Sequence, residues 1–276
     1  MSADAVQLRV GGPRTLRSYL AHAELARALV QRELTVRYQR SLLGVAWALI
    51  EPCAMLAIYV LVFGKVLQAD RGIENYLLFT LLGLACWQFF STTLENSAAT
   101  LIDHAPLMRK VYFPRELVVG AVVVSRFTTF LLTLAIAVPV AVYAAAWGQT
   151  PVWHRAPQLL AGVLVLVAAV TGLSLLLAAA NVLLRDTVFL VRFAMRLYFY
   201  ACPIVYPTSL VPEGLRDLYV LNPMVGVLYL VQGFADPAVA YPGTASLACA
   251  IITSMALLFG GLWAFRRLEP HVADLL

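Results

Sequence analysis

Apolar residues run in long blocks from Leu42 to Phe265, separated by short polar connections. Six blocks predict membrane-crossing helices, at about 42–63, 76–94, 117–147, 159–184, 189–206 and 246–265. A further run at 218–235, LYVLNPMVGVLYLVQGFA, is short and interrupted by Asn222-Pro223. Such a run predicts a re-entrant or interfacial segment rather than another crossing. The polar segment from Glu95 to Glu116 has room for a short helix bounded by prolines. From about Thr15 to Arg40 helix formers dominate and no proline intervenes. Leu25, Leu29 and Val36 share a face there, although Arg32 intrudes on it. The pattern predicts a helix lying at the cytoplasmic membrane surface, its arginines reaching lipid phosphates; an ordinary soluble helix is the alternative.

Composition agrees with the pattern. The chain is 276 residues, 62% hydrophobic and 13% charged, too little charge for the surface of a soluble protein this long. It reads as a polytopic membrane protein. The net charge of +5 is explained by loop arginines that set topology, so nucleic acid is not expected as a partner. Fifteen of the lysines and arginines fall on connections assigned to the inside, against Lys65, Arg71, Arg155 and Arg216 outside. That bias predicts six spans with both termini in the cytoplasm, and it keeps 218–235 on the outer side. No secretory signal peptide is expected at the N-terminus. Cys53, Cys86, Cys202 and Cys249 lie far apart in or beside apolar stretches and suggest neither a metal site nor a disulfide framework.

The fifth block, FLVRFAMRLYFYACPIVY, carries the most chemistry. On a helix, Phe189, Arg192, Phe193, Arg196 and Tyr200 fall on one face, and Leu190, Ala194, Leu197 and Tyr198 mostly on the other. Two cations among aromatics are costly against lipid and reasonable against a wet cavity or a charged cargo. Two readings stay open: the face lines a transport path, or the arginines snorkel to a nearby surface while the aromatics pack between helices. Tyr59 and Tyr206 are further candidates for such a path, nearer the outer side. Glu51 and Arg126 each lie roughly 14 Å from the inner ends of their spans at 1.5 Å per residue. Their matched depth predicts a structural ion pair between the first and third spans.

Absent motifs narrow the chemistry. There is no G-x-x-x-x-G-K-[ST], so the chain is not expected to cradle ATP phosphates itself. Neither G-x-S-x-G nor H-E-x-x-H occurs, and no convincing carboxylate pair or metal cluster suits a membrane hydrolase or glycosyltransferase. No internal repeat or low-complexity linker divides the chain. It reads as one domain over 1–276, with an N-terminal helix region at 1–40, the spans at 41–266 and a tail at 267–276.

Several motifs, in order, resemble one known family. They are Arg32-Glu33-Leu34-Thr35-Val36-Arg37-Tyr38, Ser41-Leu42-Leu43-Gly44-Val45-Ala46-Trp47 and Glu51-Pro52. Lys110-Val111-Tyr112-Phe113-Pro114-Arg115-Glu116, Asn181, Arg185-Asp186, Pro203-Ile204-Val205-Tyr206-Pro207 and Leu221-Asn222-Pro223-Met224 follow. Together they resemble the ABC type-2 polysaccharide export permeases, most closely those that export O-antigen; capsule and teichoic-acid permeases share much of the pattern. The resemblance implies an all-α membrane protein of six transmembrane helices, with an N-terminal amphipathic interfacial helix, a cytoplasmic coupling helix and outer-side re-entrant gate helices. It implies a homodimer in the bacterial inner membrane with two copies of a separate cytoplasmic ATPase, which would bind ATP and Mg; no cofactor is expected on this chain. The cargo implied is a glycan on undecaprenyl pyrophosphate. By the same likeness, Asp103 to Pro114 would dock on the ATPase through Asp103, His104, Arg109 and Lys110, with Arg185 and Asp186 making a smaller contact. A drug or lipid permease, a glycan-processing enzyme and a membrane scaffold are the competing readings.

Overall fold

The structure is a computed structural model. It describes residues 22–38, 41, 43–110, 113–146, 153–236, 239 and 241–275. Ten α-helices and no strand occur among them. In chain order they are α1 (Ala23–Tyr38), α2 (Trp47–Tyr59), α3 (Tyr76–Asp103), α4 (Ala105–Met108) and α5 (Glu116–Ala146), then α6 (Ala156–Leu183), α7 (Thr187–Tyr200), α8 (Glu213–Val220), α9 (Pro223–Gln232) and α10 (Thr244–Leu275). A wider, π-helical segment, Val60–Val66, extends α2.

Five helical stretches are long and apolar enough to cross a membrane: Trp47–Val66, Tyr76–Asp103, Glu116–Tyr143, Ala156–Leu183 and Thr244–His271. Their outward positions carry exposed apolar side chains, such as Ile58, Leu131, Leu164, Ile252 and Phe259. Water does not tolerate such a belt, but lipid does. The chain is a multi-pass membrane protein.

α3 is the central post. Leu78, Phe79, Leu82, Cys86, Leu94, Ala98 and Leu101 are all buried along it. The apolar blocks place its end near Leu94, yet the helix runs on to Asp103. The extension keeps the inward face apolar through Ala98 and Leu101, so packing continues where the polar residues on its other faces suggest a stop. α10 likewise passes Arg266-Arg267 and ends at Leu275. Both arginines sit on its outer face. Arg266 reaches Glu116 at 3.6 Å, and Arg267 covers the Trp263 ring at 5.4 Å from its centroid.

α6 and α10 cross at near-contact of their backbones. A Cβ on Gly172 would lie 2.1 Å from the Leu257 carbonyl oxygen, and one on Gly261 would lie 2.2 Å from the Gly172 oxygen. Between membrane helices, where water gives no drive to associate, such close approach supplies the packing.

The fifth apolar block departs from the expected helix. α7 ends at Tyr200 rather than Tyr206. Pro203 lacks an N–H and disfavours a helical residue before it, which stops the helix. At 14 residues, α7 is about 21 Å long, short of a hydrocarbon core of about 30 Å. The chain continues through Cys202, Ile204 and Val205, all buried. The run at 218–235 matches its expected broken form: α8 ends before Asn222, and α9 starts at Pro223 and packs against α3, α6 and α10. Asn222 caps α9 by accepting from the Met224 N–H at 2.9 Å.

At the opposite end, α1 packs on α5 through buried Leu29. Leu29 joins Leu101, Phe113, Val118, Ala178 and Phe265 in a second apolar cluster, separate from the main core. Of the helix expected at 15–40, Ala23–Tyr38 is seen as helix; Arg17 and Arg40, with Arg9 and Arg14 before it, lie outside the described residues.

Candidate functional site: a groove between α2, α3 and α7

α7 docks on α2 and α3 through an aromatic seam. Phe199 meets Trp87 at 5.5 Å and Tyr59 at 5.6 Å between ring centroids, while Tyr198 lies 6.0 Å from both Trp87 and Phe90. Val191, Met195, Tyr198 and Phe199 therefore form its inward face, at helical spacing. The faces read from the sequence are resolved differently. Phe189, Phe193 and Tyr200 are 67%, 63% and 71% exposed, and Leu190 and Leu197 on the other side are exposed too. α7 is thus a surface helix with one narrow buried stripe.

Beside the seam lies a groove of about 450 Å³, walled by Glu51 and Tyr59 of α2, by Trp87, Gln88, Ser91, Thr92 and Glu95 of α3, and by Met195, Arg196, Phe199 and Tyr200 of α7. Of the expected path residues, Tyr59, Arg196 and Tyr200 line it. Phe189, Arg192 and Phe193 continue the exposed face of α7 beyond its rim. Arg192 and Arg196 both act electrostatically on Glu95. The α3 wall was missed in the sequence, although it carries a signal. Gln88, Ser91, Thr92 and Glu95 recur at intervals of three and four, a polar stripe on one face of the helix.

Arg126 lines a small adjoining cavity whose walls Ala85, Gln88, Thr92 and Thr133 also line the groove. Glu51 and Arg126 therefore border neighbouring spaces around the same stretch of α3.

Tyr206 stands elsewhere. Its hydroxyl donates to the Tyr200 carbonyl at 2.8 Å and contacts the Tyr219 hydroxyl of α8. Burial raises the Tyr219 hydroxyl above its ordinary range. The connector between α7 and α8 is irregular backbone beside membrane helices, and side chains satisfy its carbonyls. Asn222 Nδ2 donates to the Ala201 oxygen at 3.0 Å, Gln232 Nε2 to the Ile204 oxygen at 2.9 Å, and the Tyr76 hydroxyl to the Val205 oxygen at 2.6 Å. The Tyr198 hydroxyl reaches Asn222 Oδ1 at 2.6 Å, tying α7 to the start of α9. Within a membrane, non-helical backbone is tolerated only when protein groups or water complete its hydrogen bonds.

At the other end, α4 is a single turn with Pro106 in its first turn. Asp103, Arg109 and Lys110 are exposed around it, but His104 is buried. Its Nδ1 lies 2.9 Å from the Thr100 carbonyl and its Nε2 3.5 Å from Glu33 on α1. Arg185 and Asp186 are exposed on the turn between α6 and α7. Val111 and Tyr112 lie outside the described residues. No cluster of His, Cys, Asp and Glu suited to a metal ion occurs among the described residues.

Comparison with known proteins places these features in a family. Residues 24–236 match the ABC-2 type transporter family, which takes in every wall of the groove and the connector between α7 and α8. The chain is 36% identical over 223 residues to the O-antigen export system permease protein RfbA of Myxococcus xanthus, covering 79% of this chain and 83% of that one. It is 28% identical over 258 residues to an O-antigen export system permease protein RfbA of Klebsiella pneumoniae, covering 92% and 95%. It is 23% identical over 243 residues to the polysialic acid transport protein KpsM of Escherichia coli, covering 88% and 92%. A multi-pass helical chain with this match belongs to the ABC-2 type transporter family.

Proposed function

We propose that this chain is the permease subunit of an ATP-driven exporter that moves O-antigen polysaccharide, linked to undecaprenyl pyrophosphate, across the bacterial inner membrane. Support comes chiefly from α7, which presents Phe189, Phe193, Tyr200 and two arginines outward beside an aromatic groove. Ring faces of sugars stack on aromatic side chains with little dependence on sugar sequence, which suits a sliding polymer. Arg192 and Arg196 supply charge-assisted hydrogen bonds for a diphosphate near the entrance.

In this reading both termini are cytoplasmic, and α7 with its buried extension completes a sixth crossing. A second copy of the chain faces α7, so that its charged aromatic face borders a shared path instead of lipid. A separate ATPase, two copies per dimer, docks at the cytoplasmic end against Asp103, Arg109, Lys110 and the Arg185-Asp186 turn. ATP and Mg bind to that partner. Hydrolysis shifts the preference of the spans between path conformations, and cargo moves because its affinity differs between them. The pinned outer connector serves as the exit gate.

Capsule polysaccharide export is the second reading, favoured by the likeness to the polysialic acid transport protein. Both readings are tested in a strain lacking this chain, by following surface glycan and cytoplasmic lipid-linked glycan. Complementation restores surface O-antigen if the proposal holds. Restoration of capsule alone favours the second reading, and restoration of neither glycan refutes both.

A further inference from the structure

The groove contains an acidic residue that the proposed transport scheme leaves unused. Glu95 of α3 and Arg196 of α7 line the groove together. It is partly buried, and the field it feels from protein charges comes from Arg192 and Arg196. Any anion drawn to those guanidiniums enters the field of the Glu95 carboxylate. We propose that Glu95 is an internal counter-anion that competes with a lipid-borne diphosphate for Arg192 and Arg196, keeping capture at the entrance weak enough for release.

The inference rests on the proposed diphosphate cargo and deepens it. Two arginines one helical turn apart, Arg196 lining the groove and Arg192 just beyond its rim, would hold a diphosphate tightly. A carrier must also let go. A carboxylate anchored on a different helix repels the bound diphosphate and re-engages the arginines as it leaves. Because Glu95 is on α3 and the arginines are on α7, any motion between these helices changes the balance between capture and release.

The test measures binding of radiolabelled undecaprenyl pyrophosphate to the full chain in phosphatidylethanolamine nanodiscs, with its ATPase partner present. Inorganic pyrophosphate and phosphatidylglycerol serve as competitors. Glu95→Gln should tighten binding by about three- to tenfold, since it removes a nearby like charge. Glu95→Asp should remain near wild type, and Arg196→Gln should weaken binding. Damage to the fold would weaken binding, so tightening is not a structural artefact. Unchanged or weaker binding by Glu95→Gln, with Arg196→Gln still weakened, overturns the counter-anion role and leaves the cargo reading intact. If Arg196→Gln binds as wild type does, both fall. Competition by phosphatidylglycerol as effective as that by inorganic pyrophosphate also overturns the proposal, in favour of a general anionic-headgroup site.

Discussion

Replacing Gly172 with alanine should destabilise the subunit, although alanine is the better helix former. On an exposed helix the exchange gains about 1 kcal/mol in propensity. Here the added Cβ would meet the Leu257 carbonyl oxygen at 2.1 Å, the Leu257 carbon at 2.2 Å and the Leu258 nitrogen at 2.5 Å. All three are backbone atoms, so no side chain can swing aside. Restoring ordinary contact, which begins near 3.4 Å, requires α6 and α10 to part by about 1.3 Å. Overpacking of this kind costs about 1–3 kcal/mol, and the rigid neighbours place it at the upper end. The net loss is then about 1–2 kcal/mol, and larger for Gly172→Val. Gly260→Ala is the matched control, because its Cβ would meet nothing within 4 Å. Thermal unfolding in nanodiscs, followed by the fraction that remains monodisperse, should rank Gly260→Ala at or above wild type and Gly172→Ala below it. A Gly172→Ala variant as stable as wild type would refute the close backbone crossing.

Three other outcomes follow from the described contacts. Gln232→Leu strips a donor from the buried Ile204 and Phe79 carbonyls, and should cost about 1–3 kcal/mol while raising protease cleavage of the connector between α7 and α8. His104→Ala removes the contact between the turn before α4 and Glu33 of α1; with membrane levels held equal, it should lower stimulation of the partner ATPase. Arg126→Ala should impair assembly, and Glu51→Gln in the same chain should restore it; failure of that rescue in membrane-level and cross-linking assays would count against the intramembrane pair.

The long helices were legible because lipid-facing and core-facing positions are both apolar, so each span reads as a block. Their ends were less so. α3 outruns its apolar block because only one face, through Ala98 and Leu101, needs to stay apolar. The break at Asn222-Pro223 was legible in the turn chemistry itself. The stop at Tyr200 was harder, since Ala201 to Tyr206 is as apolar as the helix before it. What ends the helix is Pro203, and what makes the end tolerable is a set of distant donors: Tyr76, Asn222 and Gln232. Such pairings across the sequence have no local signature.

At the site, periodicity identified the charged aromatic side of α7 but not its buried stripe. Apolar residues lie all round that helix, so hydrophobicity alone does not choose a buried side; the aromatic seam to Trp87 and Phe90 does. His104 shows the same limit. As a polar residue in a polar segment it reads as surface, yet α1 covers it and supplies Glu33. Glu95 was visible as an acid at the edge of a span, but its arginine neighbours come from another helix.

The central claim is that cargo passes along the outward face of α7. A photo-cross-linking amino acid at Phe193, activated during active export and probed for covalently attached glycan, tests it most directly. Phe259, 66% exposed on α10, provides the matched lipid-facing position. Glycan adducts at position 193 that require the partner ATPase, with none at 259, are the expected result. Equal labelling at both positions, or none at 193 while export proceeds, would contradict the account.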